Sequence, residues 1–221
     1  MRIERDTLGE VQVPDDALYG AQTQRAIENY PISGLREHPL FIRAFVCLKK
    51  AAALANLELS SMDEQRALAI SAACDDILGD EAGYRKHFVV DVFQAGAGTS
   101  FNMNCNEVIA NLANLKLGGK LGEYKPVHPN DHVNMAQSTN DVTPTAMRLA
   151  HLELTKALVS ELEALSASFD AKAKQYANVV KPGRTHLQDA VPVTFGQEIG
   201  GWARRIEGAA ARLSAGRAEL R

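Results

Sequence analysis

The chain has 221 residues, 46% of them hydrophobic, which is enough apolar material for a folded core in one large or two small domains. Its 24 basic and 27 acidic residues leave a formal charge of -3 with no Lys/Arg run, so neither a nucleic-acid nor a membrane partner is expected. The N-terminus lacks an apolar signal segment, and no stretch approaches the ~20 apolar residues of a membrane span, which predicts a cytoplasmic protein.

The cysteines and histidines give no sign of a metal or a cofactor. Cys47, Cys74 and Cys105 are an odd, widely spaced set without a Cys-x-x-Cys pair, so neither a disulfide framework nor a zinc site is indicated. The pattern predicts reduced, buried thiols. The histidines also lack metal-ligand spacing, and we expect no bound metal and no cofactor.

The first part of the chain predicts a small, mostly helical domain over residues 1–137. Residues 1–38 are punctuated by glycine and proline, which predicts an extended arm with short turns. Apolar residues three and four apart predict helices over residues 41–57 and 65–78. A third helix is expected over residues 104–117, ended by a Gly-Gly pair.

A first polar cluster, Gly-Ala-Gly-Thr-Ser at 96–100, lies just before this third helix. Glycines let a backbone approach a ligand, and Thr99 or Ser100 could donate a hydroxyl to an anion at a helix N-terminus. The alternative is a simple turn, with residues 102–104 capping a helix entered at Glu107. The cluster lacks the Gly-Lys-Ser/Thr ending of a phosphate loop, so nucleotide binding is not expected.

A second cluster, Ser-Thr-Asn-Asp at 138–141, opens a long helix that is expected to run to about residue 179, with Pro144 in its first turn. One cap needs only one of these side chains. The surplus of donors at the positive end of a ~50 Å helix indicates a carboxylate ligand. Capping alone and ligand binding both remain open.

A third cluster, Pro-Gly-Arg-Thr-His at 182–186, lies in the link between two long helices. His186 could orient a carboxylate or an amine or exchange protons, or it could be an ordinary solvated loop histidine. Thr194 and Gln197 have the spacing of a capping box for the last helix, which carries a heptad seam over residues 195–220. We expect residues 138–221 to form the first part of a long-helix bundle, with its apolar faces buried by oligomerisation.

Taken together and in this order, the clusters resemble the fumarase/aspartase superfamily over essentially the whole chain. The matching stretches are 13–25, 96–111, 128–141 and 183–190. The resemblance implies a mainly α fold, with a small N-terminal helical domain followed by the long helices of a central multi-helix bundle. It also implies a homotetramer whose active sites are shared between subunits.

Within this family the chain looks more like the L-aspartate ammonia-lyases than the class II fumarases. Gly-Ala-Gly-Thr-Ser stands where fumarases usually have Gly-Ser-Gly-Thr-Gln, and Ser-Thr-Asn replaces Ser-Ser-Asn. The resemblance therefore implies reversible anti elimination of ammonia from L-aspartate, giving fumarate through an aci-carboxylate intermediate. A class II fumarase and a non-catalytic helical assembly module are the alternatives.

The resemblance also implies roles for individual residues. The substrate's β-carboxylate would be held by Thr99, Ser138 and Thr139, its α-amino group by Asn140 and His186, and its α-carboxylate in part by Thr185. A weaker secondary anion site would involve His128, Asn130 and Asp131, with Lys125 where bacterial fumarases can carry Arg.

The catalytic base of the family is a serine on a loop with the motif Gly-Ser-Ser-x-x-Met-Pro-x-Lys-x-Asn. This motif does not occur in the 221 residues. The resemblance therefore implies that the chain corresponds to the N-terminal half of the enzyme, carries no catalytic residue of its own, and is inactive alone.

Overall fold

The computed structural model describes residues 1–220, and the chain divides into two compact units, Met1–Ala150 and His151–Arg221. Helices dominate both units, which confirms the mainly α prediction. The sequence-based division into residues 1–137 and 138–221 stays a prediction. None of the helices within residues 1–220 combines the length and the apolar character that a membrane crossing requires.

Residues 1–38 are not an extended arm, so this prediction was wrong. Strand β1 (Arg2–Asp6) pairs antiparallel with β2 (Gly9–Val13), and helix α1 (Ala21–Asn29) follows. Five-residue strands are too short to show a convincing period-two pattern, and Gly9 supplies the hairpin turn at a φ of +117°. Gly9 was correctly interpreted as part of a turn, but Gly20 is the N-cap of α1, and the elements between the glycines were missed.

The next two helices agree with the predicted ones to within two residues at each end. They are α2 (Pro39–Glu58) and α3 (Glu64–Gly79), followed by the single turn α4 (Glu81–Tyr84). The side chain of Asp63 accepts a hydrogen bond from the Arg66 N–H and thereby caps α3. Buried apolar residues from α2 and α3 pack on the next long helix and form the core of the first unit.

Helix α5 (Thr99–Lys116) begins five residues earlier than predicted. Asn102 and Asn104 therefore lie inside the helix and do not cap it, which corrects the sequence interpretation. Asparagine is a weak helix former in isolation, and only its tertiary hydrogen bonds explain its presence here. The cap comes from Gln94, whose Oε1 accepts from the Phe101 N–H at 2.7 Å.

Helix α5 fastens surrounding loops through three asparagines that are fully buried, Asn104, Asn111 and Asn114. Each donates with its amide nitrogen and accepts with its amide oxygen, over distances of 2.8 to 2.9 Å. Their backbone partners are His87 and Val89 for Asn104, Leu18 and Gly122 for Asn111, and Val127 for Asn114. The backbone N–H and C=O groups of these loops are thus paired with asparagine side chains of α5, as they would be paired with another strand in a β-sheet.

Glu107 is another buried polar residue of α5, and it caps α1 from inside the core. Its carboxylate accepts from the N–H groups of Gly20, Gln22 and Thr23 at 2.9 to 3.0 Å. Burial raises the pKa of Glu107, and these N–H donors oppose that rise. A carboxylate at the positive end of α1 stabilises the helix start.

Helix α6 (Thr139–Gln175) has 37 residues, which corresponds to about 55 Å. The link after it is an antiparallel hairpin of β3 (Val180–Thr185) and β4 (Gln188–Thr194), leading into α7 (Phe195–Glu219). The predicted capping box at the start of α7 is confirmed.

In the second unit, α6 and α7 approach closely at Gly196, where a Cβ atom would lie 2.5 Å from the carbonyl oxygen of Ala173. Phe169 of α6 packs edge-on against Trp202 of α7, with ring centroids 5.9 Å apart. Trp202 nevertheless stays 48% exposed. Cys74 and Cys105 are buried as predicted, but Cys47 is exposed, because it lies on the outer face of α2.

Candidate functional site

The first turns of α5 and α6 lie against each other in the first unit. Gly98 is so close to α6 that a Cβ atom there would come within 2.9 Å of the Thr143 side chain. At the next turn, Asn102 Nδ2 donates to Thr139 Oγ1 at 2.9 Å. Two helix N-termini, each with a partial positive charge, are therefore neighbours, which favours an anionic ligand.

The structure separates capping from the other roles at this cluster. Ser138 caps α6, since its Oγ accepts from the Asn140 N–H at 3.2 Å and its carbonyl oxygen accepts from Asp141 and Val142. Gln94 performs the same task for α5. Within residues 1–220 the Thr99 hydroxyl and the Asn140 side-chain amide make no hydrogen bond, and both residues are exposed. These donors are available to a ligand.

Behind Thr139 lies a buried polar network that the sequence analysis missed. Lys49 is fully buried, and its Nζ donates to Asn134 Oδ1 at 2.8 Å and to Gln137 Oε1 at 3.0 Å. Asn134 Oδ1 also accepts from Asn102 Nδ2 at 3.2 Å. Burial lowers the pKa of Lys49 to about 8. A positive charge is thus connected by hydrogen bonds to the hydroxyl of Thr139.

A signal for Lys49 was present in the sequence. The buried face of α2 carries Phe45, Lys49 and Ala53, spaced four residues apart. A lysine in the middle of an apolar stripe is uncommon, because burying an ammonium costs free energy unless it is well hydrogen-bonded. Such a residue indicates a built polar contact, although the sequence does not show with which group.

Thr185 and His186 lie in the second unit, at the tip of the β3–β4 hairpin. His186 and the next residue, Leu187, have φ values of +48° and +62°, the left-handed region that such tight tips require. Residues other than glycine pay about 1 to 2 kcal/mol each in this region. The side chains of His186 and Leu187 are exposed, and that of Leu187 is 90% accessible to solvent. A strained, exposed tip that displays an imidazole is typical of a functional loop.

The residues of the expected secondary anion site surround a short π-helical turn, Pro129–Val133. His128 Nδ1 accepts from the N–H groups of Asn130 and Asp131 at 3.3 and 3.2 Å, so the imidazole caps this turn. Beside it lies a cavity of about 460 Å³ lined by His128 and Asn130, but not by Asp131. Arg5 and Arg25, which the sequence analysis did not single out, line the same cavity.

A protein-family model described as "Lyase" matches residues 9–221. A class II fumarate hydratase from Halobacterium salinarum is 54% identical over 218 residues, covering 97% of the chain and 45% of that protein. An aspartate ammonia-lyase from Helicobacter pylori is 49% identical over 209 residues, covering 94% of the chain and 44% of that protein. The chain thus spans about half the length of the curated relatives it matches.

Solved structures of lyases also match the chain over about half of their own length. A Brucella melitensis protein described as "fumarate lyase:delta crystallin" superimposes with a TM-score of 0.91 and 50% identity, covering 100% of the chain and 50% of that structure. A class II fumarase from Schistosoma mansoni superimposes with a TM-score of 0.84 at 34% identity, covering 95% of the chain and 44% of that structure.

Proposed function

The chain belongs to the fumarase/aspartase superfamily of lyases, and from that premise we propose that it forms part of an ammonia-lyase that converts L-aspartate reversibly to fumarate. The observation that carries this proposal is the contact between the starts of α5 and α6, where the Thr99 and Thr139 hydroxyls are not used as helix caps. Neighbouring helix N-termini fit an anion, and a carboxylate is one such ligand.

The proposed chemistry places the largest change of charge at that contact. A base removes a proton from Cβ of the substrate, and the electron pair moves into the β-carboxylate, which becomes a doubly charged aci-carboxylate. The pair then forms the Cα–Cβ double bond as ammonia leaves from Cα. Donors from Thr99, Ser138 and Thr139 bind the dianion more strongly than the starting carboxylate, and this difference lowers the barrier.

The other end of the substrate is assigned to the remaining predicted residues. Asn140 adjoins Thr139 on α6, and its free amide suits the α-amino group. His186 and Thr185 of the hairpin tip are proposed to contact the amino group and the α-carboxylate. The base that the family uses lies in a motif that these 221 residues do not contain, so we expect the chain alone to release no ammonia from L-aspartate.

The second candidate is a class II fumarase, which adds water to fumarate through the same intermediate. Two observations favour it: the 54% identity to the Halobacterium enzyme, and the cavity beside His128 and Asn130 with Arg5 and Arg25 in its lining. Asp6 and Glu107 also line that cavity, and Arg25 is paired with Asp6, so Arg5 is the cation proposed to meet a second anion there. The Gly-Ala-Gly-Thr-Ser and Ser-Thr-Asn sequences favour the ammonia-lyase.

The discriminating experiment uses the complete enzyme that contains this chain. Ammonia release from L-aspartate is measured beside malate formation from fumarate, at matched enzyme concentrations. We expect the first to exceed the second by about 100-fold or more, since a site built to hydrogen-bond one group discriminates strongly against another. Faster malate formation supports the fumarase, and the absence of both reactions supports a non-catalytic assembly module.

We also propose that the chain assembles as a homo-oligomer, with a tetramer expected. Several apolar side chains of α6 and α7 stay more than 40% exposed, among them Leu158, Leu165 and Trp202. Their burial between copies would contribute about 25 cal/mol for each Å² of apolar surface. Light scattering coupled to gel filtration measures the stoichiometry, and a monodisperse monomer would contradict the proposal.

Substitution of Thr139 tests the site directly. Thr139→Val keeps the shape and removes the hydroxyl, so we expect kcat to fall by about 10-fold to 10³-fold with a much smaller change in KM. Thr145→Val, on the same helix, is the matched control and should leave kcat unchanged. If Thr139→Val changes only thermal stability, Thr139 has no part in binding the substrate.

A further inference from the structure

We infer that Lys49, Asn134 and Asn102 form an amide relay that fixes the Thr139 hydroxyl as a hydrogen-bond donor towards the substrate carboxylate. The inference rests on the proposed function, because it assigns a direction to the hydroxyl that the proposal places at the β-carboxylate. We assign these three residues a positioning role, since Lys49 and Asn102 are buried behind Thr139. The relay runs from Lys49 on α2 to Asn134 in the segment before α6. It continues through Asn102 on α5 to Thr139 at the start of α6.

The relay starts at Lys49, because an ammonium group only donates hydrogen bonds. Each atom that it contacts must therefore be an acceptor, which makes Oδ1 of Asn134 and Oε1 of Gln137 face the lysine. The amide nitrogens then point the opposite way. Asn134 Nδ2 donates to the Gln137 carbonyl at 3.2 Å, and Gln137 Nε2 donates to the Val133 carbonyl at 2.9 Å. The buried charge thus removes the usual ambiguity of an amide orientation.

The second step passes this orientation to Asn102. With Asn134 Oδ1 fixed as an acceptor, Asn102 must present its nitrogen, 3.2 Å away. The opposite rotamer would place two carbonyl oxygens in contact, which is repulsive in a buried site. The same nitrogen has a second hydrogen, and it is directed at Thr139 Oγ1 at 2.9 Å.

The third step concerns the hydroxyl itself. Because Thr139 Oγ1 accepts from Asn102, its own hydrogen must point away from the amide. Threonine hydroxyls inside helices commonly donate to a carbonyl one turn earlier, but Thr139 is the first residue of α6 and makes no such bond within residues 1–220. The hydrogen is left for a ligand.

The arrangement is costly, which is difficult to explain by stability alone. Asn102 is 2% exposed, and its Oδ1 has no hydrogen-bond partner within residues 1–220. A buried acceptor without a partner costs about 1 to 3 kcal/mol. A buried lysine adds a desolvation penalty that an apolar side chain avoids. Both costs are consistent with a network retained for the direction of its final hydrogen bond.

The test is a double-mutant cycle in the complete enzyme. Lys49→Met keeps the linear side chain and removes the charge, and we expect kcat to fall by about 10-fold to 100-fold with KM within about threefold. Lys50→Met is the matched control, since Lys50 is the next residue on α2 and pairs on the surface with Asp75. It should behave as the parent enzyme.

The cycle separates positioning from a general structural role. If Lys49 acts through Thr139, then Lys49→Met in a Thr139→Val background lowers kcat by no more than about twofold, because the hydroxyl it positions is gone. If the two residues act independently, the fold-decreases in kcat of the two single variants multiply in the double variant. The relay is overturned if Lys49→Met lowers kcat by the same factor in the Thr139→Val background as it does alone. It is also overturned if Lys49→Met alone leaves kcat unchanged.

A second variant keeps the test valid if Lys49→Met folds poorly. Asn102→Asp preserves shape but places only acceptors beside Thr139, so the hydroxyl should donate back to the new carboxylate. We expect a loss of kcat of about 10-fold or more with Lys49 still in place. Unchanged kcat in this variant also overturns the relay.

A measurement on the 221-residue chain distinguishes failure of the relay from failure of the proposed function. Both hydrogens of Asn102 Nδ2 are bonded, so in side-chain amide NMR they should exchange slowly with solvent in the parent chain and in Lys50→Met. They should exchange at least about tenfold faster in Lys49→Met. Equal exchange in all three refutes the relay, whereas absence of any lyase reaction refutes only the proposed function.

Discussion

The candidate site residues of the first unit and those of the second unit are supported in different ways. Thr139 rests on a network that reaches through Asn102 and Asn134 to a buried lysine, and its helix start is pressed against Gly98. Within residues 1–220, the His186 side chain makes no hydrogen bond and is exposed at a two-residue hairpin tip. The start of α6 therefore holds its hydroxyl in a fixed network, whereas the hairpin displays its imidazole without fixing it.

This contrast bears on the proposed chemistry. Electrostatic stabilisation of a developing charge requires donors that do not reorganise during reaction, and the network behind Thr139 provides that. A residue that contacts the leaving group has to admit substrate and release product, which an exposed tip permits. We therefore expect substitutions at the start of α6 to affect both folding and catalysis, and substitutions at the hairpin to leave global stability nearly unchanged.

The largest expected effect on stability is at the contact between the two helix starts. Gly98→Ala introduces a Cβ atom 2.9 Å from Thr143 and forces a residue other than glycine to a φ of +86°, so we expect the free energy of unfolding to fall by about 3 to 5 kcal/mol. Gly118→Ala is the matched control, since its φ is +80° but its Cβ meets no atom within 4 Å. It should cost only about 1 to 2 kcal/mol.

Urea unfolding of both alanine variants, compared with the parent chain, measures the difference. That difference is the steric cost of adding a Cβ atom where α5 approaches α6, because the backbone strain is common to both variants. Equal losses would show that the two helix starts adjust freely, and the distinction between a fixed helix start and an exposed hairpin tip would then fail.

The next effect depends on pH and tests the buried charge. Between the pKa of about 8 in the folded chain and the ordinary lysine pKa of 10.5, the unfolded chain keeps the Lys49 proton while the folded chain has released it. Raising the pH through this interval therefore stabilises the folded state, by about 3 kcal/mol at 1.36 kcal/mol per pH unit. The facing thiols of Cys74 and Cys105 stay neutral, because burial raises both pKa values, that of Cys105 to about 12.

Unfolding by urea at pH 7.5 and pH 10 checks this prediction in the parent chain and in Lys49→Met. The parent should gain stability relative to the variant at the higher pH, and Lys50→Met should follow the parent. If the difference in unfolding free energy between the parent and Lys49→Met is the same at both pH values, Lys49 reaches water and carries an ordinary pKa.

The smallest effect is expected at the hairpin tip. Leu187→Gly removes the steric cost of a left-handed residue, so the β3–β4 hairpin should gain about 1 kcal/mol of local stability. Slower amide hydrogen exchange in the paired strands reports this gain, while the global unfolding free energy stays constant. Faster exchange would mean that the exposed Leu187 side chain holds the tip in place.

Sequence patterns predicted the helices well where packing follows a simple period. The apolar spacing in α2 and α3 and the capping box at Thr194 and Gln197 are local signals, and the structure agrees with them. The start of α5 was predicted too late, because asparagines that favour caps in isolation are satisfied here by distant loops. The short N-terminal strands carried too few residues for a pattern.

The candidate site was predicted as a set of donors, but not how they are held. The sequence identifies Thr139 and His186 as polar residues at helix or loop boundaries. It does not show that Ser138 and Gln94 perform the capping, or that Lys49, 90 residues before Thr139, is joined to it. Those relations depend on contacts between distant segments, which no local pattern encodes.

The buried asparagines of α5 have a consequence for the way the first unit opens. Releasing any one of the loops held by Asn104, Asn111 or Asn114 would leave a buried amide without partners, at about 1 to 3 kcal/mol for each lost donor or acceptor. Loops that would fray singly on most surfaces are therefore coupled to one another through the helix. The slowest amide exchange in this unit should extend from α5 into the loop residues bound to it, so that helix and loops open as one cooperative unit.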